Sequence, residues 1–182
     1  MQLATATKLK TQVPRTASTQ LTGPAALERA FDEHHAMVFR AAYRLTGNAA
    51  DAEDVLQTVF LRLAGRDIAA EALDNPEGYL RRAAINASLN VLEQRSRKNI
   101  PLESAPEPHA RQDERELREV LVRAMATIGG RPAEMFALRF LEGYSNGEIA
   151  EIYGVSALVV AVTLHRTRKQ LQKEIRNLGG LR

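Results

Sequence analysis

A chain of 182 residues has room for one domain of moderate size or two small ones. Aromatics make up only 5% and Trp is absent. No stretch alternates apolar and polar residues for long enough to suggest a half-buried strand, so helices are expected throughout. The absence of cysteine excludes disulfides, thiolate metal sites and cysteine nucleophiles, and suits a reducing cytoplasm.

The net charge of +3 is a mild bias toward polyanionic partners. It is unevenly placed: from Arg166 onward, Arg166, Arg168, Lys169, Lys173, Arg176 and Arg182 face only Glu174, so the tail carries +5. No apolar stretch approaches the roughly 20 residues that span a bilayer, and the N-terminus lacks a signal-peptide core, so membrane insertion and secretion are not expected.

Residues 1–23 hold no acid and many Thr, Ala and Gln. They bury too little apolar surface to order themselves and are expected to form a flexible tail. Pro24 suits the first position of a helix in which Leu27, Phe31, Val38, Ala42 and Leu45 recur at helical spacing up to Gly47. His34 and His35 within it point about 100° apart, which argues against a shared metal ion.

Asn48 caps the next helix, and Asp51, Glu53 and Asp54 load its first turns with negative charge. Those acids either stabilise the helix start or form an exposed patch for a basic partner. Val55, Leu56, Val59, Phe60 and Leu63 supply its buried side. Asn75-Pro76-Glu77 begins a long helix running to about Lys98. One side is apolar, and the other carries Arg81, Arg82, Asn86, Asn90, Arg95, Arg97 and Lys98. Arginines that hold phosphates, alternating with asparagines that bond base edges, suit a nucleic acid as well as they suit a solvated face.

Pro101, Pro106 and Pro108 forbid a continuous helix through residues 99–116, where acids outnumber arginines. That stretch reads as a flexible linker dividing a helical domain at 24–98 from a second at 117–182. In the second, Leu117 to Ile128 forms a helix ended by Gly129-Gly130, and Pro132 opens the next. Ser145 and Glu148 then spell a capping box, Gly154 a left-handed helix end, and Ser156 a second cap. Ala150, Gly154 and Val160 are spaced as in a helix-turn-helix whose second helix ends in His165, Arg166, Arg168 and Lys169. No paired carboxylates, nucleophile–base pair or phosphate-cradling glycine loop stands at a workable spacing. Neither an enzyme nor a cofactor is therefore expected.

Three blocks together, YRLTGNAADAEDVLQTVFLRL, NPEGYLRRAAINASLN and RPAEMFALRFLEGYSNGEIAEIYGVS, resemble a bacterial RNA polymerase sigma factor of the extracytoplasmic-function class. The resemblance covers about four fifths of the chain, from about Leu27 to Ile175. It implies an all-α fold of two small helical domains, a region 2-like bundle and a region 4-like helix-turn-helix, joined by the linker. Its partners would be core RNA polymerase, promoter DNA and an anti-sigma factor, in the cytoplasm. Asp51, Asp54, Gln57 and Phe60 would meet the polymerase. Arg81, Arg82, Asn86, Asn90, Arg95, Arg97 and Lys98 would hold the opened −10 strand. Ser156, Ala157, Leu158, Ala161, Val162, His165, Arg166, Arg168 and Lys169 would meet the −35 element.

The chain departs from the family where DNA is touched. Ala161, Val162 and Thr163 stand where Lys, Ser and Arg are common, and Asn90 and Glu93 replace a usual Asp and Arg. The resemblance therefore also admits a sigma-like protein that binds polymerase or an anti-sigma factor without reading a promoter.

Overall fold

The computed structural model describes residues 24–65, 75–97 and 112–177, and among these every regular element is an α-helix. In chain order they are α1 (Pro24–Thr46), α2 (Ala49–Ala64), α3 (Pro76–Arg97), α4 (Gln112–Ile128), α5 (Gly130–Phe140), α6 (Asn146–Tyr153) and α7 (Ala157–Asn177). The expected tail at 1–23, residues 99–111 of the expected linker, and Lys98 lie outside the described residues.

The first three helices form around a small-residue core. Ala26, Ala30, Ala41 and Ala42 of α1, Val55, Val59 and Leu63 of α2, and Leu80 and Ala84 of α3 are all buried. Alanines on facing helices let the backbones approach closely, which compensates for the scarcity of large aromatics. The remaining helices pack around Met125, Ala133, Leu138, Ile149, Val160 and Leu164.

α3 belongs to both clusters. Leu80, Ala84 and Ala87 face α1 and α2, whereas Ile85, Leu89 and Leu92 join the second core together with Leu45 of α1. A helix that buries residues on two sides is sandwiched rather than laid on a surface. The two helical units are accordingly packed against each other through α3, α4 and α5. One boundary differs from the sequence reading: α4 begins at Gln112, inside the stretch assigned to the linker.

Local signals are realised closely in the helix-turn-helix. Ser145 Oγ accepts from Glu148 N at 3.2 Å while Glu148 Oε2 accepts from Ser145 N at 2.8 Å, completing the capping box. Gly154 ends α6 at φ 63°, ψ 37°, a left-handed conformation that costs glycine little. Ser156 Oγ accepts from Val159 N at 3.3 Å to start α7. The two helices meet at 105°, with Ile149, Ala150, Val160 and Leu164 buried in the angle.

Replacing Ser145 by alanine removes one half of the box and is expected to cost about 1 kcal/mol, read as a lower urea midpoint. The hydrogen bonds from Ser145 hold the Glu148 carboxyl below its usual range. Its contribution is therefore present above the ordinary carboxylate range and is lost as the pH falls through the lowered value.

Candidate polymerase and nucleic-acid interfaces

Three surfaces carry the residues singled out above, and the fold treats each differently. The first is the outer face of α7. Burying Val160, Leu164, Thr167 and Leu171 against the other helices turns the opposite side to solvent. Ser156, Ala157, Leu158, Val162, His165, Arg166, Arg168 and Lys169 are all exposed, and Ala161 is half-buried. Leu158 is 73% exposed, with Val159 and Val162 beside it. An apolar start followed by a cluster of cations thus forms one continuous face.

The second surface is on α2. Asp54 and Gln57 are exposed one turn apart. Asp51 and Phe60, expected beside them, are not on that surface. Asp51 is only 7% exposed, and its Oδ1 accepts from Arg95 Nη2 of α3 at 2.7 Å. Burial pushes the Asp51 carboxyl above its ordinary range, against the opposing pull of Arg95. Phe60 is buried edge-on against Phe31 of α1, ring centroids 5.0 Å apart. The apolar residue that does stand beside Gln57 is Leu61, 71% exposed, with Phe31 also partly open. Leu61 went unnoticed in the sequence because an LRL run in a helix reads as core by composition. Only its spacing from Asp54 and Gln57, on one helical face, points to it.

The third surface is the polar side of α3, where most of the expected −10 residues sit. Arg95 is turned inward to Asp51. Asn90 is exposed, its Nδ2 donating to Asn86 Oδ1 at 3.2 Å. Arg97 closes α3 as its last residue. Arg81, Arg82 and Asn86 come together and meet carboxylates of the second unit. Glu134 of α5, 3% exposed, accepts from Arg82 Nε at 3.3 Å, from Asn86 Nδ2, and from the Tyr153 hydroxyl at 2.5 Å.

The Arg82 guanidinium lies over the Tyr153 ring, 4.3 Å from its centroid. Burial and the adjacent Glu134 carboxylate push the Tyr153 phenol far up, so it remains a donor. Beyond α5, the side chain of Glu142 is 2% exposed and pairs with Arg44 Nη1 at 2.8 Å and with Arg81. Arg81 also bonds Glu77 at 2.5 Å, one turn back on α3. Burial alone would lower the Arg81 pKa, but its bonds to Glu142 and Glu77 outweigh that and raise it.

Beside this contact, Val59, Arg62, Tyr79, Arg82, Ala83 and Asn86 line an open hollow of about 230 Å³ between α2 and α3. Arg62, exposed on α2, is another cation the sequence reading passed over.

Residues 30–98 match the family model for Sigma-70 region 2, and residues 118–171 match that for Sigma-70, region 4. The RNA polymerase sigma-E factor of Streptomyces coelicolor is 32% identical over 140 residues, covering 76% of this chain and 79% of that protein. The ECF RNA polymerase sigma factor SigE of Mycolicibacterium smegmatis is 33% identical over 172 residues, covering 86% and 66%. The ECF RNA polymerase sigma factor SigL of Mycobacterium tuberculosis is 29% identical over 167 residues, covering 85% and 92%. With both regions matched in order, each built as a helical unit, the chain belongs to the sigma-70 family of RNA polymerase sigma factors, in its extracytoplasmic-function class.

Proposed function

We propose that this chain binds core RNA polymerase and directs promoter recognition and transcription initiation, the polymerase itself carrying the catalysis. The observation that supports this most is the presence of both a region 2-like and a region 4-like unit in one chain, with the basic face of α7 open to solvent.

Asp54 and Gln57, with Leu61 and Phe31 around them, form the proposed polymerase face. A polar pair beside exposed apolar side chains suits a protein partner rich in arginine and aliphatic groups. Arg81, Arg82, Asn86 and Asn90 are the proposed holders of the opened −10 strand, with Arg62 at the adjoining hollow. There the cations would meet phosphates, and Tyr79 and the amides an unstacked base. On α7, Arg166, Arg168 and Lys169 would sit on phosphates of the −35 element. Leu158 and Val162 would meet thymine methyl groups rather than make bidentate bonds. The protein would work in the cytoplasm beside the polymerase, where an anti-sigma factor would compete for these same faces.

A second reading is favoured by one feature. The apolar patch of Leu158, Val159 and Val162 is also what a protein interface looks like, in which case the chain would bind polymerase without reading a promoter. Multi-round transcription with core polymerase separates the two on a template pool selected by binding to the holoenzyme. Discrete transcripts that require this chain are expected. A complex with core polymerase that opens no template would leave the second reading in place.

A further inference from the structure

The first two turns of α7 carry almost no hydrogen-bonding side chain. From Ala157 to Leu164 the sequence is ALVVAVTL, in which Thr163 is the one polar residue. Thr163 is half-buried and stands about 140° around the helix from Leu158, at about 100° per residue. Ser156, just before these turns, is engaged as the cap, its Oγ accepting from Val159 N at 3.3 Å. Leu158, Val159 and Val162 are nevertheless 73%, 47% and 42% exposed. Leu158 and Val162 open a stripe that His165 and Lys169 continue at the next helical repeats, all four exposed.

The order of apolar and charged residues indicates what covers this stripe. Arg166, Arg168 and Lys169 follow the apolar start on the exposed side of the same helix. An occupant that touches both must present apolar groups close to a row of anions. The major groove of duplex DNA is such a surface, with the C5 methyl groups of pyrimidines projecting into it between two rows of phosphates. Leu158 and Val162 are about 6 Å apart along the helix axis, and stacked base pairs repeat about every 3.4 Å, so the two side chains can meet nearby base pairs.

We infer that α7 reads the pyrimidine C5 methyl group itself, so that cytosine methylated at C5 is accepted in the −35 element in place of thymine and promoters carrying it are preferred. The inference rests on the proposed −35 role of α7. In the major groove thymine shows an O4 acceptor and a methyl group, whereas cytosine shows an N4 donor. Telling O4 from N4 takes a side chain that donates or accepts, and Leu158, Ala161 and Val162 do neither. What they detect is the methyl group, which leaves water on meeting them. 5-Methylcytosine presents that group at the same ring position as thymine. Unmodified cytosine presents only an amino group that these side chains cannot satisfy.

The test uses the full chain assembled with core polymerase, titrated onto a duplex promoter from the pool selected by binding to that holoenzyme. The −35 element is synthesised with thymine, deoxyuridine, cytosine or 5-methylcytosine at each pyrimidine position in turn. Deoxyuridine differs from thymine, and cytosine from 5-methylcytosine, by one methyl group. At one or more positions, deoxyuridine is expected to bind about fourfold more weakly than thymine, and 5-methylcytosine about fourfold more tightly than cytosine, the ratio for one buried methyl group. The salt slope should be the same for all four, because the phosphate contacts are unchanged. Leu158→Ala with Val162→Ala should bring both ratios to one, and both residues are exposed, so the buried side of α7 is left intact.

Equal affinity for thymine and deoxyuridine at every position would overturn the inference, and so would a thymine preference with no gain from 5-methylcytosine. Methyl ratios that survive in the double alanine variant would place the contact on another element and overturn it as well. A double variant that loses affinity for core polymerase instead would make the stripe a protein interface, with the same consequence. Binding to none of the duplexes would remove the −35 role of α7 and the inference with it. Binding that keeps its salt slope and ignores the methyl group would remove the inference alone.

Discussion

Arg95→Ala is expected to lower the stability of the folded chain by about 3 kcal/mol, the usual cost of stripping one partner from a buried ion pair. Asp51 sits in the first turn of α2, buried, with Asn48 capping its backbone N–H at 3.2 Å. Arg95 reaches it from the far end of α3, and among the described residues Asp51 Oδ2 and Arg95 Nη1 have no hydrogen-bond partner. The pair is therefore a single contact in which each charge depends on the other.

Removing the guanidinium leaves a carboxylate out of water with nothing opposite it, and the group can respond only by taking up a proton. Burial already raises the Asp51 pKa in the wild type, so as the pH rises the folded protein gives up that proton later than the unfolded chain does. A group raised in this way contributes stability that is complete below the ordinary carboxylate range and is lost as the pH rises through its folded value. Without Arg95 that value rises further. The deficit of the variant should therefore be largest near neutral pH and shrink as the pH falls. Urea unfolding at two pH values measures both effects. Asp51→Asn added to Arg95→Ala should recover much of the loss, since a neutral amide needs no cation. Equal midpoints for wild type and Arg95→Ala at neutral pH would show that the pair contributes nothing.

The largest functional effect is expected from replacing Arg166, Arg168 and Lys169 together by alanine. All three are exposed on α7 beyond the apolar start of its outer face, and none makes an ion pair among the described residues. Each phosphate neutralised on duplex DNA contributes a salt slope of about −0.9, so three lost contacts reduce the slope by about 2.7 and the affinity at physiological salt by about a hundredfold. The loss should be uniform across promoter sequences, because phosphate contacts position and do not specify.

Leu158→Ala and Val162→Ala should behave oppositely. They should leave the salt slope unchanged and weaken binding only to sites with thymines where these side chains enter the major groove. Titration of holoenzyme onto duplex promoter DNA at several salt concentrations measures both. An unchanged slope in the triple variant would place the −35 contact elsewhere on the chain.

Much of the helix-turn-helix was legible because its determinants are local. The capping box of Ser145 and Glu148, the left-handed Gly154, the cap at Ser156 and the buried row of Val160, Leu164 and Leu171 all act within a few residues of one another. The chemistry of each residue type at that spacing leaves few alternatives. The same holds for Asn48 at the start of α2 and for the assignment of the chain to two helical regions, which the family models then matched. The start of α4 was not legible, because acids ahead of a helix and acids in its first turn have the same composition.

What only the tertiary structure decided was which charges remain available. On the sequence, Arg81, Arg82, Asn86 and Arg95 were equal members of one polar face. Once folded, Arg95 turns 44 residues back to Asp51, Asn86 pairs 48 residues ahead with Glu134, and Arg81 pairs 61 residues ahead with Glu142. Helical periodicity reports which residues share a face, but it carries no information about what packs on that face from another part of the chain. Sequence alone thus determined the helices, their caps and the sigma-factor regions. The packing of α5 on α3 determined that, among the described residues, the cations of α7 stand open while two buried carboxylates occupy Arg81 and Arg82 of α3.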